Sequence, residues 1–215
     1  MFAAGVALLF AFILLGVWTA AGYAGTENIE TPKYTVVGEG SGYELREYAG
    51  HIRAEVTLEG EYRDTLYAGF RKVADYIFGN NSPNAKIAMT APVLQEESAP
   101  SAKIAMTAPV LQEPAGESGG RHTVSFIMPS EHTMDSLPRP NNPEVVLREV
   151  PPHRMAAVAF AGYATEGAVK KKTAALLAAL ARDGVTVTGT PQTAQYNPPW
   201  TPPYMRKNEI LVPVE

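Results

Sequence analysis

The chain has 215 residues, of which 46% are hydrophobic and 19% charged, a composition that supports a globular domain with a buried core and excludes disorder throughout. Its formal net charge of -4 gives no broad positive field, so nucleic acid is not expected as a partner. The chain has no cysteine, which excludes disulfides, thiolate catalysis and thiolate ligands for a metal.

The first 24 residues form an apolar segment. They contain no charged side chain, and residues 6–18 are a dense run of apolar residues. This composition is typical of a signal peptide or a membrane anchor. Small residues at 20–25 would suit cleavage, whereas the lack of Lys or Arg ahead of the apolar run argues against it. We therefore expect an exported protein, either periplasmic or anchored to the inner membrane by this segment.

The folded domain is expected at residues 34–215, after a polar, proline-containing linker at residues 25–33. Two short strands are predicted at residues 34–37 and 43–48. Apolar residues at 52, 54, 56 and 58 alternate with polar ones, which predicts a half-buried strand. The period then changes to three- and four-residue steps, which predicts an amphipathic helix over residues 63–78.

A twelve-residue sequence, Ala-Lys-Ile-Ala-Met-Thr-Ala-Pro-Val-Leu-Gln-Glu, occurs twice, at residues 85–96 and 102–113. Neither copy has a His or Cys, so the repeat is expected to build a surface or wall and not a reactive centre. Two copies are too few for a solenoid. Both copies are predicted to be extended and to fold back on each other, with Pro92 and Pro109 at strand edges or bulges.

The rest of the chain alternates strands with one further helix. The predicted helix covers residues 165–182, and a proline-bearing loop is expected at residues 129–143. Strands are predicted at residues 123–128, 145–150, 155–160, 185–188, 194–196 and 209–214, with a proline-rich turn at residues 198–203. This order predicts an α+β domain of two related halves around an antiparallel sheet or barrel.

Several motifs together resemble the SOUL haem-binding family over residues 34–215. They are Tyr-Glu-Leu-Arg-Glu-Tyr at 43–48, Lys-Ile-Ala-Met-Thr-Ala-Pro-Val from Lys86 and Lys103, Phe-Ile-Met-Pro-Ser at 126–130, and the proline-rich ending at 196–209. The resemblance implies a twisted antiparallel β-barrel of two pseudo-symmetric halves flanked by two α-helices, here preceded by an apolar N-terminal helix. It also implies non-covalent binding of haem or a related tetrapyrrole, and the doubled segment favours a bacterial origin.

The resemblance places the tetrapyrrole in a hydrophobic slot against the first helix. The expected apolar contacts are Leu66, Phe70, Val73, Ala74 and Ile77. Arg71 is expected at the rim, and Trp200 and Tyr204 in the proline-rich loop are expected to cover the macrocycle. The alternative is that the helical stripe is ordinary core.

Some relatives carry a histidine, proposed as the axial iron ligand, at the fifth position of the first motif. This chain has Glu47 there, and a carboxylate is a poor substitute. His51 is the nearby candidate for a metal ligand, and binding without an axial protein ligand is the favoured alternative.

No catalytic arrangement is recognisable, neither a Ser-His-acid triad nor a facing carboxylate pair nor a phosphate-binding loop. The favoured function is therefore a haem carrier or buffer outside the cytoplasm, with haem or porphyrin as partner. A membrane is a further partner if the N-terminal segment is retained, and no protein partner is identifiable. The alternatives are a haem-degrading or tetrapyrrole-modifying enzyme and an effector-sensing or partner-binding module.

Overall fold

The computed structural model describes residues 18–19, 29–83, 101–115 and 120–215. The strands are β1 (Tyr34–Gly40), β2 (Tyr43–Tyr48), β3 (His51–Glu59), β4 (Asn81–Ser82), β5 (Val110–Pro114), β6 (Arg121–Ile127), β7 (Arg139–Pro140), β8 (Val146–Val150), β9 (His153–Ala161), β10 (Gln192–Gln195) and β11 (Lys207–Val214). The helices are α1 (Tyr62–Ile77) and α2 (Glu166–Arg182), and a short 3-10 helix covers Pro203–Met205.

Within the described ranges, nine strands form one antiparallel sheet in the order β1-β2-β9-β11-β10-β5-β6-β3-β8. The sheet is strongly curled into a half-barrel. Its centre is the β10–β5 pair, in which Ala194 lies opposite Leu111. On either side of this pair lie two units of the same order, β3-α1-β5-β6 and β9-α2-β10-β11. The prediction of an α+β fold with two related halves is therefore confirmed.

Both helices lie on the convex face of the sheet. Helix α1 packs on β3 and β6, and α2 packs on β11. In the apolar cluster between α1 and the sheet, α1 contributes Val73 and Ile77, both fully buried. In the cluster between α2 and the sheet, α2 contributes the fully buried Leu180. Burying one such side chain contributes about 1.5–3 kcal/mol, so these two clusters fix the helices on the sheet.

The concave face holds a third, mixed cluster. Its apolar members include Tyr48, Leu111 and Met155, all buried. Because successive residues of a strand point to opposite faces, Arg46 shares this face with Tyr48. The concave face therefore combines apolar side chains with buried charge.

Gly69 allows α1 to approach the sheet closely. A methyl group added at Gly69 would lie 2.6 Å from the Cβ of Val124 on β6. In an exposed helix Gly→Ala stabilises by about 1 kcal/mol, but here we expect Gly69→Ala to lower the free energy of unfolding by about 1–3 kcal/mol, because the core is overpacked. Urea denaturation measures this value.

The matched control for that substitution is Gly167→Ala in α2, where an added Cβ meets nothing within 4 Å. We expect this variant to be as stable as the wild type or slightly more stable. Equal stability of Gly69→Ala and Gly167→Ala would contradict the close approach of α1 to Val124.

The second repeat copy is a strand only in its second half. Residues 101–106 form no strand. Instead, Asn81 donates to and accepts from the backbone of Ala102, and the Ile104 amide donates to Ile77 at the end of α1. From Val110 onward the copy becomes β5, which pairs with β6 and β10. The predicted pairing of the two copies stays a prediction, because the copy at residues 85–96 lies outside the described residues.

The other predicted elements agree with the structure except at residues 185–188. Val187 there forms a single bridge to Val214 in place of a strand. The Val-Thr-Val-Thr sequence favours a strand. In the structure, however, this segment lies beside only the end of β11, so no longer ladder forms among the described residues.

Residues 1–17 and 20–28 lie outside the described residues, so the predicted signal peptide or anchor stays a prediction. Within the described residues no helix is long and apolar enough to span a bilayer. Trp18 and Thr19 contact the proline-rich loop: Trp18 Nε1 donates to the Trp200 carbonyl at 2.7 Å, and Thr19 Oγ1 lies 2.6 Å from the Tyr204 hydroxyl. Glu30 bridges Thr107 and accepts a hydrogen bond from the Ser130 amide at 3.0 Å.

Candidate functional site

The residues predicted for the slot divide into two groups on α1. Val73 and Ile77 are fully buried and Ala74 is 6% exposed, so these three side chains belong to the core beneath the helix. Leu66 and Phe70 are only partly buried and lie at the edge of that core. A ligand beside α1 therefore meets Leu66 and Phe70 first, with the others behind them.

The second repeat copy extends this partly buried surface. Met106 and Val110 pack against the same core cluster as Leu66 and Phe70 and are also partly buried. We call these four residues the α1 edge. The Phe70 ring is backed by the ring of Phe126, with centroids 5.4 Å apart. The repeat copy thus contributes apolar surface beside the helix, as its composition predicts.

The proline-rich loop begins next to the α1 edge. Val110 pairs with Gln195, the last residue of β10, and the chain turns from there into the loop. Arg206 holds the loop, because its guanidinium donates to the carbonyls of Thr201, at 2.9 Å, and Pro199.

The two predicted aromatic residues of this region are exposed. Trp200 is 58% and Tyr204 59% exposed. The predicted rim residue Arg71 is also exposed, on α1. Exposed aromatic rings and a partly buried apolar edge are both surfaces suited to contact a flat apolar ligand.

His51 lies in a cleft with a volume of about 610 Å³. The cleft also contains His132, which the sequence did not connect with His51. Burial lowers the pKa of His51 to about 4, so its imidazole is uncharged at neutral pH.

Both ring nitrogens of His51 already have partners. Nδ1 lies 3.1 Å from the Ala49 carbonyl, and Nε2 accepts a hydrogen bond from Arg53 Nε at 3.1 Å. A neutral imidazole is the form that ligates iron, but here Nε2 would have to exchange Arg53 for the metal. Within the described residues no group of three or more His, Cys, Asp and Glu is placed to hold a metal ion.

A buried ion pair crosses the concave face. Arg46 donates to both carboxylate oxygens of Glu209, at 3.1 and 3.2 Å, and Glu209 also accepts from Tyr196 at 2.5 Å. Arg46 is 4% and Glu209 0% exposed. Burial alone would raise the pKa of Glu209, but the hydrogen bonds from Arg46 and Tyr196 outweigh it and hold the pKa below its usual value.

This pairing was not predictable from sequence, because Arg46 and Glu209 are far apart in the chain and are brought together only by the order of the strands in the sheet. β2 and β11 both pair with β9, which brings Arg46 opposite Met155 and Glu209 opposite Ala159. The network therefore links β2 to β11 across β9.

The chain belongs to the SOUL family, since the family described as SOUL heme-binding protein matches residues 29–213. Among curated proteins, Heme-binding protein 2 of Homo sapiens is 27% identical over 186 residues, which cover 84% of this chain and 84% of that protein. Family membership supports binding of haem or a related tetrapyrrole.

Solved structures share the fold at low identity. The C-terminal domain of EcmrR is similar with a TM-score of 0.57 and 12% identity, covering 85% of this chain and 98% of that chain. An uncharacterized conserved protein from Listeria innocua has a TM-score of 0.52 and 13% identity, covering 83% of this chain and 94% of that chain. At such identities the likeness shows the fold alone.

Proposed function

We propose that this protein binds haem or a related tetrapyrrole non-covalently against the α1 edge and the proline-rich loop. The observation that carries the proposal is the partly buried apolar edge, which includes Leu66 and Phe70, beside a loop with two exposed aromatic rings. Family membership supports the ligand class.

The chemistry of the edge matches the ligand. A porphyrin is flat and apolar with two carboxylates at one side, so it needs an apolar wall and nearby cations. Leu66 and Phe70 supply the wall, and the exposed Arg63 and Arg71 on α1 supply guanidinium groups for the carboxylates. Haem is held here by apolar contact and charge, and no protein nitrogen has to ligate its iron.

The role we propose is a haem carrier or buffer outside the cytoplasm. The apolar first 24 residues support export, and the absence of a recognisable catalytic motif in the sequence supports binding over catalysis. Cell fractionation with an antibody tests export: recovery of the protein in the cytoplasmic fraction alone would refute it.

Haemin titration of the purified protein, followed by the Soret band, tests the site. We expect the wild type to shift the band and Phe70→Asp to weaken binding at least about tenfold, because the new charge must be desolvated against the macrocycle. The matched control is Phe78→Asp, since Phe78 follows α1 but is 57% exposed and lies outside the α1 edge. It should bind haemin like the wild type.

Because Phe70 also packs on Phe126, an additional variant is needed that leaves the core intact. Trp200 is largely exposed, so Trp200→Ser should fold normally and still weaken haemin binding several-fold. Wild-type affinity in both Phe70→Asp and Trp200→Ser would exclude this site, and no Soret shift in the wild type would exclude haem.

His51→Ala distinguishes the two binding modes. We expect it to keep the Soret shift, because the Nε2 atom of His51 already accepts from Arg53. Loss of the shift would instead identify His51 as an axial ligand. Formation of a bilin from bound haem with a reductant and oxygen would move the assignment to a haem-degrading enzyme.

A further inference from the structure

A second cleft lies on the convex face between the two helices. It has a volume of about 330 Å³, at the lower end of the range of roughly 300–1,000 Å³ typical of small-molecule sites. Its floor is formed by Gln112 of β5 and Thr193 of β10, the two central strands of the sheet, and it shares no residue with the α1 edge.

The floor carries a buried hydrogen-bond acceptor that is unpaired within the described part of the chain. Gln112 is 2% exposed, and its Nε2 donates to the carbonyl of Tyr62 at 2.8 Å and to the Thr65 hydroxyl at 3.2 Å. A carbonyl only accepts, so the amide orientation is fixed and Oε1 is the free atom. Oε1 has no hydrogen-bond partner among the described residues.

A second polar atom in the cleft is also unpartnered. Nδ1 of His122 is buried and has no hydrogen-bond partner within the described part of the chain. The His122 ring meets the ring of Tyr62 edge-on, with centroids 5.9 Å apart. Buried polar groups are nearly always hydrogen-bonded. These two atoms, together with the Tyr62 hydroxyl, which lines the same cleft and is also buried without a partner among the described residues, indicate a missing occupant.

The walls of the cleft are mainly apolar. Helix α2 contributes Val169, Ala174 and Leu177, and Pro114 and Pro191 close the cleft from the strand side. Glu166 and Lys170, which form a salt bridge at 2.6 Å, stand at the exposed rim. An occupant therefore meets apolar surface on its faces and an acceptor at its inner end.

We propose that this cleft binds a small flat aromatic molecule that carries one O–H or N–H donor, such as a phenol or an aromatic amine. The donor pairs with Oε1 of Gln112, and the ring packs between α2 and the two prolines. The cleft has about half the volume of the one at His51, which fits a single small ring system and not a tetrapyrrole. The inference does not depend on the proposed haem site.

The position of the cleft gives the occupant a structural consequence. Gln112 and His122 belong to the first half of the fold, whereas Thr193 and α2 belong to the second. A ligand that contacts both halves binds the folded state alone and so raises its melting temperature.

The test uses 2-naphthol as the probe and naphthalene as its analogue without a donor. Binding is measured by ligand-detected NMR and by the rise in melting temperature. We expect naphthalene to bind about tenfold more weakly, because it leaves Oε1 of Gln112 unpaired. Equal binding of the two probes would overturn the role of Gln112.

The matched variants are Ala174→Phe and Ala175→Phe, two exposed positions on α2 of which only Ala174 lines the cleft. Ala174→Phe should fill the cleft and abolish 2-naphthol binding but keep haemin binding, and Ala175→Phe should bind both like the wild type. No binding by the wild type, or binding unchanged in Ala174→Phe, would show that the cleft holds water only.

Discussion

Replacing Arg46 by Met is expected to lower the free energy of unfolding by about 3–5 kcal/mol, the usual cost of leaving a buried charge without its partner. Glu209 has no exposed surface, and both of its carboxylate oxygens accept from the Arg46 guanidinium. Without Arg46, the partners left to the carboxylate among the described residues are Tyr196 and the half-exposed Lys207, whose Nζ lies 3.3 Å from Glu209 Oε1. Urea denaturation at pH 7 measures the loss.

The double variant Arg46→Met/Glu209→Leu provides the control. It removes both charges and replaces them with apolar side chains of similar length, so we expect it to be more stable than Arg46→Met alone. Lys170→Met, which breaks an ion pair at the surface, should change stability little, because solvent already screens that pair. If Arg46→Met is as stable as the wild type, the ion pair does not stabilise the half-barrel.

Local periodicity was sufficient to predict both helices and most strands. Apolar residues at three- and four-residue steps predicted α1 over residues 63–78, and the helix covers Tyr62–Ile77. The strand at residues 43–48 was predicted with its observed bounds. These elements are set by side chains close together in sequence, which is what a periodic pattern records.

The burial of the polar face of β3 was not predictable in this way. Its alternation with Arg53 and Glu55 suggested a strand with one face in solvent, whereas Arg53 is 7% and Glu55 8% exposed. The sheet curls, so the concave face is enclosed by strands that are distant in the chain. The curvature of the sheet cannot be predicted from the alternation of residues within one strand.

The candidate site was only partly predictable for a related reason. The sequence grouped Leu66, Phe70 and Val73 into one stripe, and only the packing of α1 on β3 and β6 separates the edge from the core. The inter-helix cleft had no sequence signal, because Gln112, His122 and α2 are distant in the chain and are brought together only by the fold. The unpaired oxygen of Gln112 becomes visible only once the partners of Nε2 are known.

Acidification from pH 8 to pH 5 is expected to lower the free energy of unfolding by about 1–2 kcal/mol through His51 alone. Burial lowers the pKa of His51 to about 4 in the folded state, from an ordinary value of 6.5 in the unfolded chain. Between pH 6.5 and pH 4, His51 is protonated in the unfolded chain but mostly neutral in the folded protein. The free energy of unfolding therefore falls as the pH falls. This contribution is present in full above the unfolded pKa and is lost progressively below it.

Urea denaturation of the wild type and of His51→Gln at pH 8 and pH 5 measures this contribution. His51→Gln should show a smaller loss between the two values, with a remainder from His153, whose pKa burial also lowers and whose ring lies 5.5 Å from that of His51. An equal loss in wild type and His51→Gln would mean that His51 takes up its proton in the folded protein, and Arg53 would then face a second cation in place of an acceptor.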